Sequence, residues 1–312
     1  MSERYVLISP CRDEQDYMRR TLDSVIAQSR RPALWLVVDD GSTDATPEIL
    51  ADYAARHDWI RVMRKPDRGA RAVGPGVVEA FYFGLDQIDL DHFDFDFVCK
   101  LDLDLDLPPR YFERLMTRMA ADPRLGSASG KPYFRAKSGA WISEKCGDEM
   151  SVGMTKFYRA ACFQQIGGFV REVMWDAIDC HKARQLGWSV RSWDEPDLRF
   201  EHLRPMGSSQ KGVLTGRARH GAGQYYMGSD PIYLAATCVF RMAHPPYVIG
   251  GLASLWGYVA AWLRGAPQHD DAALRAFIRD YQRRALKRGK ARAVEAIEAE
   301  RAPLWRGAAA AS

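Results

Sequence analysis

Short apolar runs of strand length alternate with segments of helical length over the first hundred residues of the chain. The apolar runs are Tyr5–Ser9, Leu34–Val38, Ile60–Met63 and Phe97–Leu101, and the helical segments are Glu14–Gln28, Thr46–His57 and Gly76–Gln87. In the first helical segment, Met18, Leu22 and Val25 share one face of a helix. This alternation is typical of βαβ units, so we predict an α/β fold whose mostly parallel sheet is covered by helices on both faces.

Acidic residues follow three of these predicted strands. The acidic stretches are Arg12-Asp13-Glu14, Asp39-Asp40-Gly41-Ser42-Thr43-Asp44 and Asp102-Leu103-Asp104. Since ligands of parallel sheets bind at the carboxyl ends of the strands, these carboxylates would gather at one edge of the sheet. Asp, Ser and Thr are also common at helix N-termini, which suits Ser42, Thr43 and Asp44 without any ligand.

Asp102 and Asp104 are harder to explain as helix caps, because they end an apolar strand. Side chains alternate along a strand, so the two carboxylates share one face and repel each other. A bound cation relieves such repulsion, and Mg²⁺ and Mn²⁺ commonly bridge carboxylates to substrate phosphates. The pattern favours a divalent metal site, with a solvated strand end as the alternative.

Four motifs, in this order, resemble those of family 2 glycosyltransferases. They are Pro10-x-x-Asp13-Glu14, Leu22-Asp23-Ser24-Val25-x-x-Gln28, Val37-Val38-Asp39-Asp40-Gly41-Ser42-Thr43-Asp44 and Lys100-Leu101-Asp102-Leu103-Asp104. Each motif is weak alone, but four in order between residues 10 and 104 are specific. The resemblance covers residues 4 to 240. It implies the GT-A fold, a Rossmann-like, mostly parallel sheet flanked by helices, together with a nucleotide-sugar donor.

The same resemblance implies roles for individual residues. The donor-binding candidates are Pro10, Asp13, Glu14, Asp39, Asp40, Arg71, Lys100 and Asp102. Asp102 and Asp104 would bind Mn²⁺ or Mg²⁺, and His202 would add a further metal ligand, although a lone His is often a packing residue. Asp13 stands where the family usually has Asn, which removes an amide donor. Arg71 lies in a Gly- and Arg-rich stretch that could equally be a solvated turn.

A carboxylate that follows in the chain is the candidate catalytic base. Inverting transfer needs a base to take the proton of the attacking hydroxyl. The family base precedes, by eleven residues, a Gly at the end of its helix, and Asp176 and Gly187 have this spacing, with Trp175 in place of the usual Glu. Asp179 competes because it shares a helical face with Asp176. A purely structural N-cap role for Asp176 is the remaining alternative.

The C-terminal part joins an uncharged segment to a basic one. Residues 245–263 contain no charged side chain over 19 positions, which is compatible with a buried core helix, an interfacial or re-entrant membrane segment, or a membrane span. Residues 264–306 carry 11 Lys and Arg against 6 Asp and Glu. A basic stretch beside an apolar one favours an anionic membrane surface, so we predict membrane contact through residues 245–292. Nucleic acid is not expected, because few aromatic residues interleave these charges.

These observations predict a GT-A domain at 1–240, with a nucleotide-sugar half at 1–106 and an acceptor half at 107–240, followed by a helical extension at 241–312. The N-terminus lacks a signal-peptide pattern and the six cysteines are scattered. We therefore expect a cytoplasmic protein, peripheral at the cytoplasmic membrane face.

The predicted function is inverting, metal-dependent transfer of one sugar from a nucleotide-diphosphate sugar to a glycan or lipid-linked acceptor. The Gln-x-x-Arg-Trp motif of processive members is absent at Gln210-Lys211-Gly212-Val213, which favours single transfer. A catalytically silent GT-A protein that binds nucleotide sugar or scaffolds polysaccharide assembly is the alternative, supported by Trp175. A nucleotidyltransferase is disfavoured, because no Gly-rich, Lys-containing signature follows the first strand.

Overall fold

The computed structural model describes residues 4–67, 69, 74–88, 94–204, 212–244 and 246–305, in which eleven β-strands and eleven α-helices form. The strands are β1 Tyr5–Cys11, β2 Leu34–Asp39, β3 Ile60–Arg64, β4 Phe97–Leu101, β5 Leu105–Asp106, β6 Leu125–Ser129, β7 Lys131–Arg135, β8 Trp141–Ser143, β9 Thr155–Arg159, β10 Ser189–Ser192 and β11 Arg199–His202. The helices are α1 Met18–Ile26, α2 Thr46–Arg56, α3 Pro75–Leu85, α4 Tyr111–Ala121, α5 Ala160–Gln165, α6 Trp175–Gln185, α7 Val213–Tyr226, α8 Pro231–Met242, α9 Tyr247–Leu263, α10 Ala272–Arg288 and α11 Lys290–Arg301.

A seven-stranded sheet forms the centre of the molecule, with the strand order β10-β6-β9-β4-β1-β2-β3. The pairs β1–β2, β2–β3, β1–β4 and β6–β10 are parallel, whereas β9 runs antiparallel between β4 and β6. Every residue of β1, β2 and β4 is buried, as expected for strands that are covered on both faces. The predicted α/β class with a mostly parallel sheet is confirmed.

The predicted strands and helices of the first hundred residues are confirmed, with one shift at the start of α1. That helix begins at Met18 rather than at Glu14. Asp13 adopts a positive φ of 53°, and the Glu14 carbonyl then accepts from the amides of Tyr17 and Met18, so a turn separates β1 from the helix. The acidic residues after β1 therefore lie on this turn.

β5, β11, β7 and β8 form a second, four-stranded sheet with the order β5-β11-β7-β8. β5 follows closely on β4, and it pairs antiparallel with β11, so that Leu105 lies opposite His202 and Asp106 opposite Glu201. This pairing brings the chain near residue 202 beside the acidic residues that follow β4.

The basic C-terminal helices pack on the globular domain. Phe277 and Ile278 of α10 join Ile178 of α6 in one apolar cluster, and the Glu298 carboxylate of α11 accepts from Arg184 and Arg191. Several cations of this segment have acidic partners within the protein, as in the pairs Arg283–Asp230, Arg284–Glu300 and Lys290–Glu149. The basic segment is therefore partly neutralised by the protein itself.

The uncharged segment forms α9, whose small residues face α7. A Cβ atom added to Gly221 would lie 1.8 Å from the Ser254 carbonyl oxygen, and one added to Gly257 would lie 1.9 Å from that of Ala218. The two backbones thus touch, and the large apolar side chains of α9 point outward. Such exposure is unlike that of a core helix. No helix in the described part of the chain has both the length and the apolarity needed to cross a bilayer. The predicted domain boundary at residue 240 lies within α8.

Candidate active site

A cleft of about 490 Å³ opens at the carboxyl ends of β1, β2 and β4. Eight of the predicted site residues line it, namely Pro10, Glu14, Asp40, Lys100, Asp102, Asp104, Asp176 and His202. Asp13, Asp39 and Asp179 do not line it, and Arg71 lies outside the described residues. Residues that are up to 192 positions apart in the chain thus meet in one cleft, at the sheet edge where parallel sheets bind ligands.

Asp104 and His202 form the candidate metal-binding site of this cleft. His202 Nε2 lies 3.6 Å from Asp104 Oδ2, and His202 Nδ1 lies 2.9 Å from Glu144 Oε2. Burial disfavours the protonated imidazole, but the nearby carboxylates of Asp104 and Glu144 outweigh this effect and raise the pKa of His202 to about 9. Burial likewise opposes ionisation of Asp104, yet His202 and Arg204 lower its pKa to about 2.

The spacing of Asp104 and His202 fits two neighbouring ligands of a small cation. Metal–ligand bonds of ~2.1 Å at right angles place adjacent ligand atoms ~3 Å apart, so a shift of about 0.6 Å would bring Asp104 Oδ2 and His202 Nε2 from their separation of 3.6 Å to that distance. The described residues include no group of three or more His, Cys, Asp and Glu side chains that could hold a metal ion. A cation at this position would depend on substrate phosphates for further ligands, as Mg²⁺ and Mn²⁺ commonly do.

Asp102 is held differently from Asp104, although both line the cleft. The Lys100 ammonium forms an ion pair with Asp102 Oδ1 and also donates to the Gly153 carbonyl oxygen at 3.0 Å. Lys100 is buried, so its charge is directed at the Asp102 carboxylate rather than at solvent. The two carboxylates predicted to bind metal therefore have different partners. Asp104 lies beside His202, and Asp102 forms an ion pair with the ammonium group of Lys100.

Of the acidic residues after β1 and β2, Glu14 and Asp40 line the cleft, whereas Asp13 and Asp39 do not. Asp40 lines the cleft, and its carbonyl oxygen accepts from the Arg12 guanidinium at 2.9 Å. Asp39 is buried, and its Oδ1 accepts from the Ser42 amide at 2.8 Å. Asp13 Oδ1 accepts from the Thr43 amide at 2.8 Å. Asp13 thus connects the loop after β1 to the loop after β2, and Asp39 fixes the turn of the loop after β2.

Asp176 lies on the opposite wall of the cleft, in the first turn of α6. Its carboxylate sits directly over Gly153, where an added Cβ atom would lie 2.7 Å from Asp176 Oδ2. Burial raises the pKa of Asp176, and the negative charge of Asp179 raises it further, against the lowering effect of Lys156. A cleft carboxylate with a raised pKa is suited to accept a proton.

Trp175, which occupies the position of the usual Glu, packs between two lysines. Its ring centre lies 5.4 Å from Lys100 Nζ and 5.6 Å from Lys156 Nζ, within the range of cation–π attraction. It also packs edge-to-face on Phe169, with ring centres 4.6 Å apart. Trp175 thus separates the two buried ammonium groups. A Glu side chain at this position would instead form an ion pair with one of them.

Asp179 is buried behind Asp176. Both of its carboxylate oxygens lie 2.5 Å from Lys156 Nζ, and Tyr158 donates its hydroxyl to the same carboxylate. Lys156 also donates to the Asp176 carbonyl oxygen at 2.6 Å. This ion pair, with both side chains almost fully buried, fixes the first turn of α6 from below.

Several residues of the site were not predicted, and for most of them the sequence contains no signal. Lys156 lies on β9 and Glu144 follows β8, each far in the chain from its partner. Arg204 is an exception, since it stands two residues after His202 and side chains at this spacing share one face of an extended chain. That spacing could have indicated Arg204.

Comparisons with known proteins give one family and several structural neighbours. The family model described as Glycosyl transferase family 2 matches residues 6–173. Poly-beta-1,6-N-acetyl-D-glucosamine synthase of Staphylococcus aureus (strain MSSA476) is 29% identical over 139 residues, which are 44% of this chain and 30% of that relative. The chain therefore matches less than a third of the length of this relative.

Solved structures resemble most of the chain at low sequence identity. S. aureus TarS 1-349 in complex with UDP-GlcNAc has a TM-score of 0.54 and 14% identity, with 96% of this chain and 90% of that chain covered. GalNAc-T7 with UDP, GalNAc and Mn²⁺ has a TM-score of 0.52 and 14% identity, with 85% of this chain and 55% of that chain covered. These likenesses concern the fold.

Proposed function

The chain belongs to glycosyl transferase family 2, and from this membership we propose that it is an inverting, metal-dependent glycosyltransferase that moves one sugar from a nucleotide-diphosphate donor to an acceptor. Its GT-A fold agrees with that proposal. The observation that carries it is that Asp104, His202 and Asp176 all line one cleft. This arrangement combines a cation site for a diphosphate with a carboxylate that can take a proton.

Asp104 would hold Mn²⁺ or Mg²⁺, together with His202 once its imidazole has lost its proton to the solvent. The bound cation would stabilise the negative charge that develops on the departing nucleotide diphosphate. Asp40 and Glu14, which also line the cleft, are the candidates for hydrogen bonds to the nucleoside, because carboxylates accept from ribose hydroxyls and base N–H groups. Lys100 keeps the Asp102 carboxylate in place at the floor of the cleft.

Asp176 would act as the base. As the acceptor hydroxyl attacks the anomeric carbon, the carboxylate takes the hydroxyl proton, and the sugar–phosphate bond breaks with its electron pair leaving on the diphosphate. Asp179 is a positioning residue in this scheme, because Lys156 connects its carboxylate to the Asp176 carbonyl. UDP-GlcNAc is the first donor to test, since a structural neighbour binds it and the curated relative is named for a polymer of N-acetyl-D-glucosamine.

Replacing Asp104 by Asn should weaken Mn²⁺-dependent binding of UDP-GlcNAc, measured by calorimetry and as a thermal shift. We expect a loss of at least 10- to 100-fold in affinity, because an amide oxygen is a weaker ligand than a carboxylate for a hard cation. Asp106→Asn is the matched control, since Asp106 stands two residues away, pairs with Arg20 and does not line the cleft. Unchanged Mn²⁺-dependent binding by Asp104→Asn would contradict the assigned metal site.

A catalytically silent protein that binds nucleotide sugar is the second candidate, and the observation that favours it is Trp175 in place of the usual Glu. The wild-type protein separates the two proposals. Release of UDP from UDP-GlcNAc with Mn²⁺ and candidate acceptors, lost in Asp104→Asn, supports the enzyme. Donor binding without turnover of any nucleotide sugar supports the silent protein.

We further propose that the protein contacts a membrane through the exposed apolar face of α8 and α9, the α8–α9 surface. Its large side chains are half or more exposed: Ile232, Val239, Phe240, Tyr247, Val248, Ile249, Leu252, Trp256, Trp262 and Leu263. Exposed apolar patches of this kind mark interaction sites, and Trp and Tyr are frequent at bilayer interfaces. Helices α7, α8 and α9 contain three Arg and no Asp or Glu, which suits an anionic leaflet. Such a surface would give access to lipid-linked acceptors.

Replacing Trp256 by Glu should weaken binding to vesicles of phosphatidylcholine and phosphatidylglycerol by about 10- to 100-fold in a co-sedimentation assay. The loss follows from the ~1.5–3 kcal/mol that burial of one large apolar side chain contributes, with charge repulsion added. Trp141→Glu is the control, since Trp141 is also exposed but lies on β8 of the four-stranded sheet, outside the α8–α9 surface. If Trp256→Glu keeps its vesicle binding but abolishes self-association, the surface joins two copies of the chain instead.

A further inference from the structure

Arg204 bridges two carboxylates of the cleft. Its Nη2 lies 2.7 Å from Asp104 Oδ2 and 2.8 Å from Glu14 Oε1, and its Nε lies 3.1 Å from the same Asp104 oxygen. The guanidinium stands 5.3 Å from the centre of the Tyr17 ring, and only 17% of the side chain is exposed. Arg204 is therefore held in place by charge, hydrogen bonds and an aromatic face.

The Asp104 oxygen that faces His202 is the one that Arg204 engages. Oδ2 accepts two N–H groups of Arg204, and His202 Nε2 stands 3.6 Å from this same atom. A divalent cation between Asp104 and His202 would need a lone pair of Oδ2 and would stand close to the positive guanidinium. Two positive charges bound to the same carboxylate oxygen repel each other strongly where little water screens them. The cation and Arg204 therefore cannot both bind Asp104 Oδ2.

Glu14 offers Arg204 a second position. Because Nη2 already donates to both Glu14 oxygens, at 2.8 and 3.1 Å, the guanidinium can leave Asp104 and keep a charge-assisted contact. A diphosphate in the cleft would supply a further anion, and guanidinium groups bind phosphate well. Moving Arg204 is therefore easiest when metal and diphosphate enter together.

We propose that Arg204 is an internal counter-cation, which competes with the divalent cation for Asp104 and is displaced onto Glu14 and the substrate diphosphate. This inference rests on the metal site of the proposed function. It predicts that the protein binds Mn²⁺ weakly alone and more tightly with a nucleotide diphosphate. Arg204 thus couples the two binding events.

Binding of Mn²⁺ alone tests the competition, with free Mn²⁺ measured by electron paramagnetic resonance. Arg204→Gln should bind Mn²⁺ about tenfold or more tightly than the wild type, because the amide cannot neutralise Asp104. Arg204→Lys keeps a cation and should stay close to the wild type. Arg20→Gln is the matched control, because Arg20 also bridges two carboxylates, those of Asp106 and Glu201, but does not line the cleft. Equal or weaker Mn²⁺ binding by Arg204→Gln would overturn the proposal.

Addition of UDP tests the coupling. In the wild type, UDP should tighten Mn²⁺ binding by a larger factor than in Arg204→Gln, and equal factors would contradict displacement of Arg204 onto the diphosphate. Asp104→Asn separates this inference from the metal site on which it rests. If that variant binds Mn²⁺ as the wild type does, the site itself is misassigned. If Asp104→Asn binds Mn²⁺ more weakly but Arg204→Gln does not bind it more tightly, the metal site stands and only the proposed competition by Arg204 is wrong. Thermal melting checks each variant for folding, and a misfolded Arg204→Gln is replaced by Arg204→Met.

Discussion

Replacing Asp176 by Asn is expected to lower kcat for glycosyl transfer by about 10²- to 10⁴-fold, the usual contribution of a general base, and to leave donor binding unchanged. The amide has the shape of the carboxylate but cannot accept the proton of the acceptor hydroxyl. Single-turnover transfer from UDP-GlcNAc with Mn²⁺ measures the rate, and calorimetry measures binding of the donor. Normal transfer by Asp176→Asn would show that another group is the base.

The pH dependence of kcat gives a second test of the same assignment. A base acts in its ionised form, so the rate should rise as Asp176 loses its proton. Because burial raises the pKa of Asp176, this rise should occur at higher pH than for an exposed Asp. Asp176→Asn should keep a low rate without this rise. A variant profile that still follows the wild-type curve would assign the titration to a different group.

Replacing Asp179 by Asn is expected to lower the free energy of unfolding by about 3–5 kcal/mol, because it leaves the buried Lys156 ammonium without its counter-ion. Urea unfolding at neutral pH measures the change. Asp52→Asn is the matched control, since it breaks an exposed Asp–Arg pair with Arg56 that contributes about 0–1 kcal/mol. The contrast arises from solvent, which screens the surface pair and is excluded from the buried one.

The Asp179 experiment also separates the two candidate bases. If Asp179 is a positioning residue, Asp179→Asn should lose stability, and the double variant Lys156→Met/Asp179→Leu should regain much of it, because no buried charge is left unpaired. If Asp179 were the base, this restabilised double variant would be inactive, whereas a positioning role predicts that it keeps transfer through Asp176. A loss below 1 kcal/mol in Asp179→Asn would contradict the role assigned to the buried pair.

Periodicity and chain order alone determined the class of the fold and much of the candidate site. Apolar runs of strand length and helical spacing are local properties, and every strand and helix predicted in the first hundred residues is present. Parallel strands carry their carboxyl ends to one edge, so Glu14, Asp40 and Asp104 could be placed together before any coordinates. The spacing of Asp176 from Gly187 likewise pointed to a residue that lines the cleft.

Tertiary structure alone decided which group each of these side chains meets. Asp176 and Asp179 share a helical face in sequence, yet one faces the cleft and the other a lysine of β9, because that strand runs antiparallel into the central sheet. Arg204 meets Glu14 across 190 positions only because β11 pairs with β5. The basic C-terminal segment likewise forms ion pairs within the protein, as between Arg283 and Asp230. Local patterns determine strands, helices and the faces that they bury, whereas charges pair according to the topology that brings distant segments together.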